Sequence, residues 1–273
     1  MTQASNTQAS NKGTAVITGA STGIGATYAD RLAQRGYDVI LVARDATRLT
    51  AVAEKLEGQY GVRATAFPAD LLDTGDLARV EALLRDDASI SLLVNNAGIA
   101  VNGGFVEADV EAFDKLVRLN ALVPTRLARA VLPGLIARKG GIVNISSVLA
   151  LAPEMFGGVY SGTKAYLLNL SQALANEFEP QGVRVQAVLP GATRTEIWER
   201  SGTDIDAFPA EMVMDVNDLV DAALAGFDKG ETVTIPPLEE VEEFDQLQAV
   251  RLGLGPKLSK REPGTRYRAA VDA

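Results

Sequence analysis

Short runs of consecutive apolar residues recur along the chain at 14–18, 38–42, 64–67, 91–95, 141–146, 184–189 and 232–235. Because the apolar positions follow one another rather than alternate, these runs read as strands buried on both faces. Between them, 25–35, 46–57, 74–86, 110–136, 159–178 and 216–227 carry helical spacing of apolar positions, each long enough for one crossover. Strands and helices alternating in this way predict an α/β fold: a three-layer, Rossmann-type, doubly wound parallel sheet in a single domain. Residues 13–236 are read as that domain. After Pro236-Pro237 a charged segment, 237–273, is read as its C-terminal extension, with a helix near 240–252 and a basic stretch at 257–268. At the other end, 2–6 and 7–11 both read Thr-Gln-Ala-Ser-Asn; with no large apolar anchor, 1–12 is expected to be a disordered tail.

Composition then narrows the chemistry. A hydrophobic content of 47% over 273 residues is ample for a substantial core, and a net charge of -9 argues against nucleic acid or anionic lipid as a partner. Cysteine is absent, so thiolate nucleophiles, disulfides and cysteine-ligated metals are excluded. Histidine is absent as well, which removes Ser-His-Asp hydrolysis, His-ligated zinc and imidazole acid-base catalysis. Tyr, Lys, Asp and Glu remain as proton carriers, and no metal site is expected. Neither a secretory signal nor a run of membrane-spanning length is visible, so a cytoplasmic protein is expected.

The first strand runs into Thr18-Gly19-Ala20-Ser21-Thr22-Gly23-Ile24-Gly25, and a helix follows. Glycines there permit a tight turn and close approach of backbone N–H groups to phosphate, while the helix N-terminus offers unsatisfied donors to a pyrophosphate. In this strand-turn-helix context the stretch predicts a dinucleotide site. At the end of the second strand, where an acidic residue would hold ribose hydroxyls, the chain has Ala43 and Arg44. A guanidinium pairs with a 2′-phosphate, so NADP(H) is favoured over NAD(H), with Arg48 as a second candidate contact and Asp45 opposing the local positive field.

Tyr160 and Lys164 stand four apart within 158–178. In a helix they share one face, which puts the ammonium beside the phenol and is expected to pull the tyrosine pKa down from about 10. Taken alone, each residue also has a bland role: Ser147 as a strand-end cap, Asn120 as a helix-interior polar group, Asn96 as a turn former.

Over 14–195 the chain resembles the short-chain dehydrogenase/reductase family, compact single-domain type. The resemblance rests on the glycine turn, Asn95-Asn96-Ala97-Gly98, Asn120, the strand ending in Ser146-Ser147, and Tyr160 through Lys164, with Ser147 thirteen positions before Tyr160. It implies Asn120, Ser147, Tyr160 and Lys164 as the catalytic set. Tyr160 would exchange the proton, Ser147 would bond the substrate oxygen, Lys164 would hold ribose hydroxyls, and Asn120 would hold a water linking Lys164 to solvent. It also implies cofactor contacts from Gly19, Ser21, Thr22, Gly23, Ile24, Gly25, Arg44, Asp70, Leu71, Asn96, Ala97, Gly98, Pro190, Gly191 and Thr195. The implied activity is hydride transfer between a nicotinamide cofactor and a ketone, aldehyde or alcohol. The chain departs from the family's ketoacyl carrier-protein reductases at 232–237, where it reads Thr-Val-Thr-Ile-Pro-Pro and continues, rather than closing on the Gly-rich end of a tetramer interface. A homodimer through 110–136 and 159–178, or a homotetramer, is the expected assembly.

A nucleotide sensor or scaffold on the same fold is the alternative, but it has no need of the four reactive residues together. An epimerase or dehydratase would call for a larger substrate domain. Val148, Leu149, Pro153, Met155, Phe156, Ile197 and Trp198 are expected to line a pocket for a small hydrophobic carbonyl or alcohol, with Glu154 rejecting acids or binding an amine and 196–214 forming a mobile lid.

Overall fold

A computed structural model describes residues 12–101, 103–202 and 204–268; the repeat at 2–11 lies outside the described residues. Seven strands form one parallel sheet: β1 (Thr14–Thr18), β2 (Asp38–Ala43), β3 (Ala64–Pro68), β4 (Ile90–Asn95), β5 (Gly141–Ile145), β6 (Arg184–Val188) and β7 (Val233–Thr234). Their order is β3-β2-β1-β4-β5-β6-β7. Every residue of β1 and β5 is buried, as their unbroken apolar character requires. The strand order reverses between β1 and β4, and the crevice at such a reversal is where open α/β sheets bind ligands.

Helices cover both faces. Helix α1 (Gly23–Gln34), α2 (Ala46–Tyr60) and α8 (Val216–Lys229) bring Tyr28, Leu32, Leu49, Leu56 and Val220 onto one side of the sheet. On the other side α3 (Thr74–Asp86), α5 (Val123–Arg138) and α6 (Gly158–Phe178) contribute Leu77, Val80, Leu127, Val131 and Ala175. The starts of α2, α3 and α8 are capped by Asp45, Asp73 and Asp215, whose carboxylates accept first-turn N–H groups. Helix α1 differs. Its N-cap is Thr22, with no side-chain cap and no acidic residue in the first turn, so its N-terminal donors face the turn after β1.

The expected helix 110–136 is continuous in its right-handed helical backbone, but its regular hydrogen bonding breaks once: α4 (Val110–Val117) passes through a π-helical turn, Arg118–Leu122, into α5. Pro124 is the reason: it has no N–H to return to the carbonyl four residues back, and the N–H of Val123 reaches five residues back to Arg118 instead. Asn120 sits inside this wide turn, buried.

Between β6 and α8, a parallel bridge of Thr193 with Met214 closes the base of an excursion that holds α7 (Ile197–Ser201) and two 3-10 turns. A second compact unit, Pro237–Ala273, begins at the second proline of the pair. It contains α9 (Val241–Leu254), close to the expected helix, and the short α10 (Thr265–Arg268). Among the described residues no helix is long and apolar enough to cross a membrane.

Candidate active site

The turn after β1 is built around missing side chains. A Cβ on Gly25 would stand 2.3 Å from the Gly19 carbonyl oxygen, and one on Gly19, where φ is 66°, would stand 2.8 Å from Asn96 Nδ2. Asn96 is committed to the turn itself: its amide donates to the carbonyls of Thr18 at 2.9 Å and Gly19 at 3.3 Å. The Thr18 hydroxyl accepts from the N–H groups of Asn96 and Ala97, both at 3.0 Å, which ties the ends of β1 and β4 together. A close-packed glycine turn leading into an uncapped helix N-terminus fits the pyrophosphate of a dinucleotide.

Four polar residues gather beside this turn. Lys164 is buried on α6, and its ammonium donates to the Ile145 carbonyl at 2.9 Å, at the end of β5. It lies 5.5 Å from the centre of the Tyr160 ring. The Ser147 hydroxyl accepts from Leu149 N–H at 3.2 Å and donates to the Pro190 carbonyl at 3.4 Å. Asn120 holds the loop after β4 by two bonds to one residue, accepting from Ile99 N–H at 3.0 Å and donating to its carbonyl at 2.9 Å; a third bond, 3.3 Å, reaches Thr163 on α6. Gly98 lets the loop pass: a Cβ there would be 3.2 Å from Asn120 Oδ1 and 3.7 Å from the ammonium of Lys164.

The electrostatics run opposite to the expected lowering of the tyrosine pKa. Burial pushes the Tyr160 phenol up to about 12, with a hydrogen bond to Ser147 pulling the other way. Burial also pushes the Lys164 ammonium down to about 8. The spacing of four brings the two groups together, as expected, but the ammonium turns toward Ile145 and desolvation dominates both groups.

At the adenosine end, Arg44 follows β2, exposed and with no ion pair among the described residues. Arg48 is engaged already, by Glu196 at 2.9 Å and Asp45 at 3.4 Å. Asp70 follows β3 and accepts from Leu72 N–H at 3.0 Å, while Leu71 is buried. Ser21, Thr22 and Ile24 are partly buried in the turn. Beyond β6, Pro190 is buried, Gly191 is partly exposed, and Thr195 packs on the turn: a Cβ on Gly23 would lie 3.2 Å from two of its side-chain carbons.

The expected pocket residues divide. Phe156 meets the Tyr160 ring edge-on, with centroids 5.6 Å apart. Val148 turns away and packs with Leu168, Ala187 and Leu189 in a core cluster. Met155 and Pro153 are exposed, and Trp198 stacks at a tilt on Phe208 while donating to the Thr193 carbonyl at 2.7 Å. The hollow next to Tyr160 is walled instead by Val101, Phe105, Phe113, Leu116 and Gly157–Val159, with Phe105 stacked on Phe113. Of these, Val101, Phe105, Phe113 and Leu116 lie some 50 positions upstream of Tyr160, and no sequence spacing ties them to it. Their apolar character was the only signal.

A parallel sheet with a dinucleotide turn at its reversal point and a Tyr-Lys-Ser-Asn cluster beside it defines a nicotinamide-dependent oxidoreductase. The family profile "short chain dehydrogenase" matches residues 13–206, and the chain belongs to that family. A short-chain dehydrogenase from Sphingobium yanoikuyae, solved in complex with NADPH, is 51% identical, with a TM-score of 0.91 over 93% of this chain and 99% of that one. A bulky-bulky ketone specific alcohol dehydrogenase from Comamonas testosteroni is 46% identical, with a TM-score of 0.87 over 94% of this chain and 99% of the other. Among sequence relatives, a very-long-chain 3-oxoacyl-CoA reductase of Anas platyrhynchos is 36% identical over 198 residues, 70% of this chain. This chain spans 63% of that reductase's length.

Proposed function

We propose that this enzyme is an NADP(H)-dependent reductase of bulky apolar ketones, also oxidising the corresponding secondary alcohols, with Tyr160 as the proton-exchanging residue. The observation that carries the reading is the meeting of Tyr160, Ser147 and Lys164 at the sheet's reversal point, beneath an apolar wall of Phe105, Phe113 and Phe156. Kinship with a structure bound to NADPH and with a bulky-bulky ketone dehydrogenase supports both the cofactor and the substrate class.

Bound reduced nicotinamide supplies the hydride. The turn Gly19 to Gly25 and the α1 N-terminus would hold its pyrophosphate, Arg44 would answer a 2′-phosphate, and Lys164 would use its remaining N–H groups on ribose hydroxyls. A phenol with its pKa near 12 is fully protonated at neutral pH, so Tyr160 stands ready to give its proton to the oxygen of the carbonyl as that oxygen gains charge. Ser147, held by the Leu149 N–H that its oxygen accepts, turns its single hydroxyl proton from the Pro190 carbonyl to the same oxygen. Asn120 has spent its amide on Ile99 and Thr163, so it positions the loop and α6; one acceptor site on Oδ1 is left for water.

Purified protein mixed with NADPH and a panel of aryl and cyclic ketones, followed by loss of absorbance of the reduced nicotinamide, tests the reading. Turnover is expected, fastest with ketones carrying large apolar groups on both sides. Tight NADPH binding with no turnover across the panel would instead favour the sensor reading.

A further inference from the structure

Residue Glu196 lies 148 positions from Arg48, yet its carboxylate takes two contacts from one guanidinium nitrogen, at 2.9 and 3.2 Å. Glu196 immediately follows Thr195, whose side chain rests on Gly23 of the cofactor turn. The segment therefore crosses the turn and ends on the first helical turn of α2, beside the end of β2 where Arg44 stands. Two arginines meet the adenosine end, and they are not equivalent. Arg44 carries no ion pair among the described residues, whereas Arg48 lies between two carboxylates. Of those two, Asp45 is fixed by its capping bond to Arg48 N–H at 3.0 Å. Glu196 is the N-cap residue of α7, where its side chain makes no capping bond, and its loop is closed at the base by the bridge of Thr193 with Met214.

We propose that Glu196 is a specificity-determining residue for the cofactor: its carboxylate competes with the 2′-phosphate for Arg48 and thereby holds down the preference for NADP(H). The inference rests on the NADP(H) reading of the site above. An anion that recruits Arg48 must displace Glu196, and a cofactor without the 2′-phosphate has no such demand. Cofactor choice is thus coupled to the loop: NADP(H) releases the start of α7 from α2, and NAD(H) leaves it tied. Trp198, the chain's single tryptophan, sits two residues beyond Glu196 and reports on that release.

The test is a double-mutant cycle on Glu196→Gln and Arg48→Gln, with NADP+ and NAD+ dissociation constants measured by calorimetry. Both side chains are about half exposed, so the variants should fold, and thermal melts check that. E196Q is expected to tighten NADP+ by roughly two- to fivefold, the range for an exposed ion pair, with NAD+ unmoved. In the R48Q background the same change should leave NADP+ affinity where it was. In wild type, NADP+ should shift Trp198 emission and NAD+ should not. If E196Q tightens both cofactors alike, or acts equally with and without Arg48, Glu196 is only part of the general negative field and the proposal falls. A wild type that prefers NADP+ with a ratio unmoved by E196Q overturns this inference alone. A wild type that binds both cofactors equally overturns the NADP(H) reading and this inference with it.

Discussion

Lys164→Met gives the sharpest test of the buried charge at the centre of the site. In the folded protein burial lowers the ammonium to about 8, against 10.5 for an unburied lysine. Below pH 8 the group is charged in both folded and unfolded chains, and the fold carries the full cost of desolvation. Between 8 and 10.5 the folded chain has released a proton that the unfolded chain still binds, so stability rises with pH. At 1.36 kcal/mol per unit, the shift amounts to about 3 kcal/mol in all, of which about 2 kcal/mol is recovered between pH 7.5 and 9.5. For a domain of this size that is roughly 4 to 8 °C in melting temperature. Thermal melts of cofactor-free wild type and K164M at pH 7.5, 8.5 and 9.5 read it directly. Whatever else titrates over this range is common to the two proteins. Wild type is expected to gain about 2 kcal/mol on the variant across the series, whatever their offset at pH 7.5 from the lost bond to the Ile145 carbonyl. Two melting curves that run parallel with pH would refute the depressed lysine and the burial argument behind it.

Replacing Tyr160 with Phe should abolish carbonyl reduction and leave NADPH binding near wild type in a fluorescence titration, because the ring keeps its contact with Phe156 and only the transferable proton is lost. Arg44→Asp should weaken NADPH by roughly tenfold while NADH is unchanged or gains, since repulsion replaces the one unpaired guanidinium at the adenosine end; an unchanged affinity ratio would mark Arg44 as a surface charge. Asn120→Ala should cost about 1 to 2 kcal/mol in urea unfolding, because it removes both side-chain bonds to the partly buried backbone of Ile99; a loss of activity without that loss of stability would mean Asn120 acts chemically rather than by holding the loop.

Much of this architecture was visible in local pattern. Consecutive apolar positions identified the seven strands to within one residue at each end, because strands buried on both faces have no polar alternation to confuse the reading. The seventh, expected at 232–235, is only Val233–Thr234. Lys164 and Tyr160 were legible as a pair because helical spacing alone brings them together. The break at 118–122 was also written in the chain, in Pro124, but apolar periodicity runs through a proline and hides the lost hydrogen bond. Asn96 was read both as a cofactor contact and as a turn former; its amide bonds Thr18 and Gly19 in the turn, partners that only the close approach of the two strand ends reveals. The direction of the tyrosine shift was missed for a general reason. Spacing gives neighbouring charge, whereas desolvation depends on everything packed around the group. Long-range partners were out of reach altogether: the Phe105 wall and the Glu196–Arg48 pair join segments that no local rule connects.

A chain without histidine must make a proton donor from a group with an unhelpful pKa, and the fold answers by fixing position rather than acidity. Three of the four proposed reactive residues are tied to a backbone carbonyl at or just beyond the C-terminal end of a different strand. Asn120 is tied to Ile99 beyond β4, Lys164 to Ile145 at the end of β5, and Ser147 to Pro190 beyond β6. Those three strands are neighbours in the sheet, spaced by about 4.8 Å. The sheet thus sets the spacing of these three groups, and α6 carries Tyr160 beside Lys164. The helices supply side chains to be anchored, and the π-helical turn brings Asn120 to the loop that passes at Gly98. Orientation of this kind lowers a barrier without any group needing to titrate near neutral pH, and for carbonyl reduction a phenol that keeps its proton until an alkoxide demands it is the suitable acid.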